Sequence, residues 1–173
     1  RSMRQAAGLG GRLDPVSTSA FVEAHAQDEI EGLRNLMSPF VDAWAQSDPR
    51  AALEWLLSQP FSGQRTAATR VAFRPWILGA EGRGEAIEWL EGKPDQVVSP
   101  VRDLYAMALV QEGRNAQALE AAEAIRSPNR DNVLRRVRQM ITAQEKRASA
   151  EAETAARRQR ARAQNAAPPA PPG

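Results

Sequence analysis

Few side chains in this chain could do acid–base or ligand chemistry. The one histidine, His25, is followed three and four residues later by Asp28 and Glu29, a spacing that gathers ring and carboxylates on one helical face. Such a carboxylate could orient an imidazole for base catalysis, but no second catalytic group accompanies it. An exposed helical histidine is therefore the expectation. Carboxylates pair at Glu81 and Glu85, at Glu88 and Glu91, and at Glu120 and Glu123. Two acids are what glycoside hydrolysis requires. None of these pairs stands in an aromatic, Ser/Gly-rich loop of the kind a muramidase site needs, so they read as solvated helix surface. Zero cysteines exclude disulfides, thiolate metal sites and cysteine nucleophiles. The residues predict no enzyme, no metal and no cofactor.

The remaining chemistry is charge. The net charge is +2, from 23 Lys+Arg against 21 Asp+Glu, with lysine only at Lys93 and Lys146. Residues 1–13 carry +3, residues 14–128 carry 10 basic and 17 acidic side chains, and residues 129–173 carry 10 basic and 4 acidic. An acidic body thus precedes a basic segment. Arg157, Arg158, Arg160 and Arg162 are its densest cluster, with Arg135, Arg136 and Arg138 upstream. Such a helix could neutralise the phosphates of RNA or of an anionic surface. No aromatic is interleaved for base stacking and no apolar face accompanies it, so a solvated charged helix is favoured and anion binding is the alternative.

These groups must be carried by helices. Alanine fills 32 of 173 positions, while threonine and isoleucine fill 5 each. That composition favours helix over sheet, and no stretch alternates apolar and polar residues with period two. Gly8, Gly10, Gly11 and Pro15 make residues 1–17 a flexible lead-in. Val22, Ala26, Ile30, Leu33 and Met37 form one helical stripe over 18–37, which Ser38-Pro39 breaks and restarts. Asp48-Pro49 opens a helix that stops at Pro60. A helix over about 63–79 carries Pro75 as a kink, and a short one carries Ala86, Ile87, Trp89 and Leu90 up to Gly92-Lys93-Pro94. Ser99-Pro100 reopens a helix ending at Gly113, and Ala118, Leu119, Ala122 and Ile125 mark its partner, closed by Ser127-Pro128.

The helices repeat. Ala52-Leu53-Glu54-Trp55-Leu56 matches Ala86-Ile87-Glu88-Trp89-Leu90 at a shift of 34, and Ala118-Leu119-Glu120-Ala121 matches 32 residues later. Trp44 and Trp76 are 32 apart, and Pro60, Pro94 and Pro128 follow at intervals of 34. The connectors Asp48-Pro49-Arg50, Glu81-Gly82-Arg83-Gly84 and Glu112-Gly113-Arg114-Asn115 each precede a second helix. This period predicts an all-α fold: a right-handed α-solenoid of about three helix–turn–helix pairs, near 38–60, 66–94 and 99–128, with helix 18–37 as N-terminal cap. The four tryptophans occupy equivalent places, which predicts packing between helices rather than a ligand box. Through Leu104, Tyr105, Ala108, Gly113-Arg114, Ala118-Leu119 and Ala122, the chain resembles the tetratricopeptide (TPR) family, over roughly residues 38–128. The second helices of pairs one and two are shorter than that family's norm, and Trp55 and Trp89 stand where it usually has smaller rings. HEAT-type solenoids have longer repeats.

Residues 129–164 predict one long helix, whose first half carries Val133, Leu134, Val137, Met140 and Ile141. From Lys146 to Gln164 alanine is the sole apolar residue, so that half should protrude. Pro168-Pro169 and Pro171-Pro172 make 165–173 an extended, disordered tail. Arg1 in place of a methionine predicts a processed start, with a signal peptide or anchor ahead of it left open. No apolar run is long enough to span a membrane. The Ala/Arg usage suits a bacterium, in the cell envelope or the cytoplasm. The resemblance implies a non-enzymatic scaffold that binds a protein or peptide along its first helices. The residues expected there are Asp42, Gln46, Arg70, Arg74, Arg102 and Asp103, with arginines able to hold carboxylates bidentately. An accessory domain of a cell-envelope enzyme is the least favoured reading.

Overall fold

The computed structural model describes residues 37–165, together with Ala20. The lead-in, nearly all of the expected cap over 18–37 (with His25), and the proline-rich tail lie outside the described residues. Every regular element among the described residues is helical: α1 (Met37–Ala45), α2 (Pro49–Ser58), α3 (Gly63–Leu78), α4 (Arg83–Leu90), α5 (Asp95–Val98), a 3-10 turn (Ser99–Val101), α6 (Arg102–Gln111), α7 (Asn115–Glu123) and α8 (Arg130–Asn165). The all-α expectation holds.

Local chemistry sets most of these boundaries. The Asp48 carboxylate accepts from the Ala51 N–H at 2.9 Å, with Pro49 in the first turn where its missing N–H is harmless. Ser62 caps α3 in the same way through the Arg65 N–H at 3.1 Å. Gly92 and Gly113, with φ of 82° and 75°, turn the chain after α4 and α6 through a backbone region that side chains disfavour.

Two local expectations are corrected. Ser38 and Pro39 are already helical in α1, because the fixed φ of proline is compatible with helix. Pro75 lies inside α3, within the helix expected over about 63–79. The carbonyl it leaves without an N–H belongs to Val71, a residue at the exposed surface. Ser99-Pro100 does not start α6. Residues 95–98 form an extra short helix, and the missing Pro100 N–H tightens the next turn to 3-10, so α6 begins at Arg102.

Consecutive helices pack in pairs, α1 with α2, α3 with α4 and α6 with α7. The first helix of each pair also packs on the next first helix, α1 on α3, α3 on α6, and α6 on α8. The second helices fill the joints, α2 against α3, α4 against α6 and α7 against α8. Alanines at the crossings (Ala52, Ala68, Ala72, Ala86, Ala108 and Ala118) are fully buried, which lets backbones approach closely. Each of the first two pairs holds an aromatic triad. Phe40 lies 5.5 Å from Trp44 and 5.1 Å from Trp55, with the two indoles 6.1 Å apart. Phe73 lies 6.0 Å from Trp76 and 6.1 Å from Trp89, with those indoles 5.9 Å apart. Trp76 and Trp89 are buried, while Trp44 and Trp55 are half-buried against the core. The third pair has Tyr105, Ala108 and Ala121 at the positions 32 residues after the second triad. There α8 packs instead, burying Val133, Leu134 and Val137.

Gly82 is required by this packing. A Cβ there would stand 2.5 Å from Cδ1 of Trp76, so the indole closes directly over the α3–α4 turn. The glycines of the connectors therefore serve two ends, a turn at Gly113 and a close approach at Gly82.

Candidate functional site

The residues expected to bind a partner lie on or beside α1, α3 and α6, and the structure sorts them. Asp42 is exposed on α1, and Gln46 is exposed just beyond its end. Along α3, Ala67, Arg70, Val71, Arg74 and Pro75 are exposed at steps of three and four, so one face of the helix is open to solvent. Beneath it, Ala68, Ala72, Phe73, Trp76 and Ile77 are buried. The apolar half of α3 is held by α1, α2, α4 and α6, which fixes the direction of its polar half.

Arg70 and Asp103 are brought together across the α3–α6 joint. The guanidinium grips the carboxylate with both forks, at 2.7 and 2.6 Å, and donates a third hydrogen bond to the Pro100 carbonyl at 2.9 Å. Burial pushes the Asp103 carboxyl up. The Arg70 hydrogen bonds and charge outweigh that, helped by the Leu104 and Asp103 backbone N–H groups, and leave it below the usual carboxylate range. The Arg70 guanidinium is held above its ordinary value, chiefly by its hydrogen bond to Asp103.

This pair has a pH signature. A carboxyl lowered on folding stabilises the fold above the unfolded value of about 3.9, and that stability is lost as pH falls through the lower folded value. Urea unfolding of the wild type should therefore show a steeper loss below about pH 4 than Asp103→Asn does. At neutral pH, Asp103→Asn should cost about 1 kcal/mol, because solvent screens a half-exposed arginine. Equal slopes for the two proteins would show that the fork does not stabilise the fold.

Arg102, also expected on the binding face, is mostly buried and paired with Asp95. It ties the first turn of α6 to α5 and is not displayed to a partner. Arg74 differs from both. It is exposed, and among the described residues it has no carboxylate partner. Of the expected cations, Arg74 alone presents an unneutralised charge on this face.

Two further contacts join pair two to pair three, and both were missed as contacts. Arg83 bridges to Glu112 at 3.2 Å and donates to the Leu78 carbonyl, and Arg114 pairs with Glu91. The signal was present in the connectors, since Glu81-Gly82-Arg83 and Glu112-Gly113-Arg114 share a pattern 31 residues apart. Tyr105 lies beside the second of these pairs. Its hydroxyl is raised above the usual tyrosine value, by burial first and then by Glu91 and Glu120, against the opposing charge of Arg114.

Arg157, Arg158, Arg160 and Arg162 are exposed on the distal half of α8, without a carboxylate partner among the described residues. No group of three or more His, Cys, Asp or Glu among the described residues is placed to hold a metal ion. No helix of the described residues is long and apolar enough to cross a membrane.

Fold and site together define an all-α protein in which aromatic triads lie within the first two helix pairs, arginine–carboxylate contacts join the second pair to the third, and one face of α3 is open. No protein-family model, curated protein or solved structure matches the chain.

Proposed function

We propose that the chain is a non-enzymatic helical-repeat scaffold, a TPR-like α-solenoid, that binds a protein or peptide along its first helices. The observation that carries this reading is the open face of α3, where Arg74 stands unneutralised one turn from Arg70 and beside exposed Val71. The order of helix contacts supports it, because each pair leans on the next through its first helix, as stacked helix pairs do. Asp42 offers the opposite charge on α1. The partner that fits is a segment with a carboxylate for Arg74, an apolar residue for Val71 and a cation for Asp42.

The test compares wild type with Arg74→Glu and Asp42→Arg in capture from native lysate, with circular dichroism as a check on folding. Neither residue is buried or holds the core, so both variants should fold with stability within about 0.5 kcal/mol of wild type. A protein retained by wild type should be retained at least about tenfold less by Arg74→Glu. Equal retention by all three proteins would refute the groove, as would retained material consisting of nucleic acid. Arg70 and Arg102 are less informative targets, because removing either orphans a carboxylate that the fold uses.

A further inference from the structure

α8 is 36 residues long, which at about 1.5 Å per residue makes it roughly 54 Å. Its first turns are docked through Val133, Leu134 and Val137, and every residue from 145 to 165 is exposed. No glycine or proline lies between Arg130 and Asn165, so the helix has no kink at which to fold back. This arm is open to solvent along its length to Asn165, where a second molecule can reach it.

The order of charges along the arm says what that molecule is. Acids come first, at Glu151 and Glu153, and arginines follow, at Arg157, Arg158, Arg160 and Arg162. Reversed end for end about a point between Ala155 and Ala156, the arm presents arginines where it had acids. At 100° per residue, Ala148, Ala152, Ala155, Ala156, Gln159 and Ala163 fall within an arc of about 100°, a narrow uncharged seam of five alanines and one glutamine. The same reversal maps that seam onto itself, Ala148 onto Ala163, Ala152 onto Gln159 and Ala155 onto Ala156.

We propose that the arm pairs with the arm of a second copy of this chain, antiparallel and about a two-fold axis near Ala155 and Ala156. The alanines let the two helices approach closely. In an antiparallel pair each flank meets its own kind. Glu151 of one copy then faces Arg158 and Arg162 of the other on one side of the seam, and Glu153 faces Arg160 on the opposite side. A parallel pair brings unlike flanks together in register, setting Glu151 against Glu153 and Arg158 and Arg162 against Arg160. Like charges so placed select against it. The interface is isologous and closes at two copies. It is independent of the peptide-binding reading, since it uses no residue of α1, α3 or α6.

Sedimentation equilibrium of the full chain tests the pairing. The wild type should reach twice the monomer mass as concentration rises, and association should weaken between 50 and 500 mM salt, as expected of exposed charge pairs. The double variant Glu151→Arg/Glu153→Arg and the triple variant Arg158→Glu/Arg160→Glu/Arg162→Glu should each associate at least about tenfold more weakly, and mixing them should restore the doubled mass. Orientation is read by cross-linking, because the chain has no cysteine of its own. Ala148→Cys mixed with Ala163→Cys should form a mixed disulfide, and Ala148→Cys alone should not link to itself. Monomer mass at every concentration would overturn the proposal. So would failure of the charge-reversed proteins to recover on mixing, preferred linkage of position 148 to itself, or saturable capture of RNA by the arm in place of self-association.

Discussion

Trp89→Ala is expected to destabilise the protein by about 3–5 kcal/mol, a large fraction of the stability of a domain this size. Trp89 is only 7 % exposed and closes the second aromatic triad against Phe73 and Trp76. Lys93 also caps its ring, with Nζ 4.7 Å from the centroid. Truncation removes the ring area, leaves a cavity between α3 and α4, and strands the lysine's cation–π contact. Phe73 and Trp76 anchor α3, whose other face carries Arg74, so the damage reaches the candidate site. Trp89→Phe is the informative companion. The indole Nε1 is buried without a hydrogen-bond partner among the described residues, so the phenyl ring loses area but also removes an unsatisfied donor. Urea unfolding should place Trp89→Phe well nearer wild type than Trp89→Ala. Equal losses would mean that the N–H, and not the ring, matters at this position.

Val137→Asp is expected to undock α8 at a cost of about 3–5 kcal/mol. Val137 is fully buried where α8 lies on α6 and α7, and a carboxylate there has no cation to meet in the core. Because the third pair has alanines where the second has indoles, α8 is what covers its apolar surface. Losing that cover should expose Leu109, Val110 and Ala122 rather than merely free a terminal helix. Limited trypsin digestion reads the effect directly. Cleavage after Arg135, Arg136 and Arg138 should become fast in Val137→Asp and stay slow in Ala150→Asp, whose substitution falls on the exposed arm away from its alanine seam and should change stability by at most about 0.5 kcal/mol. Equal protection in all three proteins would show that α8 is not held by this contact.

Much of the fold was legible because helix signals are local. A cap acts within one turn, so Asp48-Pro49 marks a start without knowledge of anything distant. Spacings of 32 and 34 between equivalent tryptophans pointed to paired rings, and the two triads are those pairs. Ser99-Pro100 is ambiguous in sequence because a missing N–H has two outcomes, a helix start or a tightened turn. Only the packing of the 3-10 turn and Val101 against α3 favours the second. The candidate site was less legible. Arg70, Arg74 and Arg102 are alike in sequence, each an arginine on the first helix of a pair. Their partners separate them, and those partners lie as far as 33 residues away.

The sequence alone determined the helical class, most helix ends, the small residues at crossings and the opposed charges of body and arm. Each follows from composition or from contacts within a turn or two of helix. The tertiary structure decided which charges are paired within the fold and which are not. It set Asp103 against Arg70, Asp95 against Arg102, Glu112 against Arg83 and Glu91 against Arg114, and it left Arg74 and the arm's arginines without carboxylates among the described residues. The reason is geometric. Whether two charges meet depends on how neighbouring helices stack, to within the length of a side chain, and no periodicity in the sequence carries that distance.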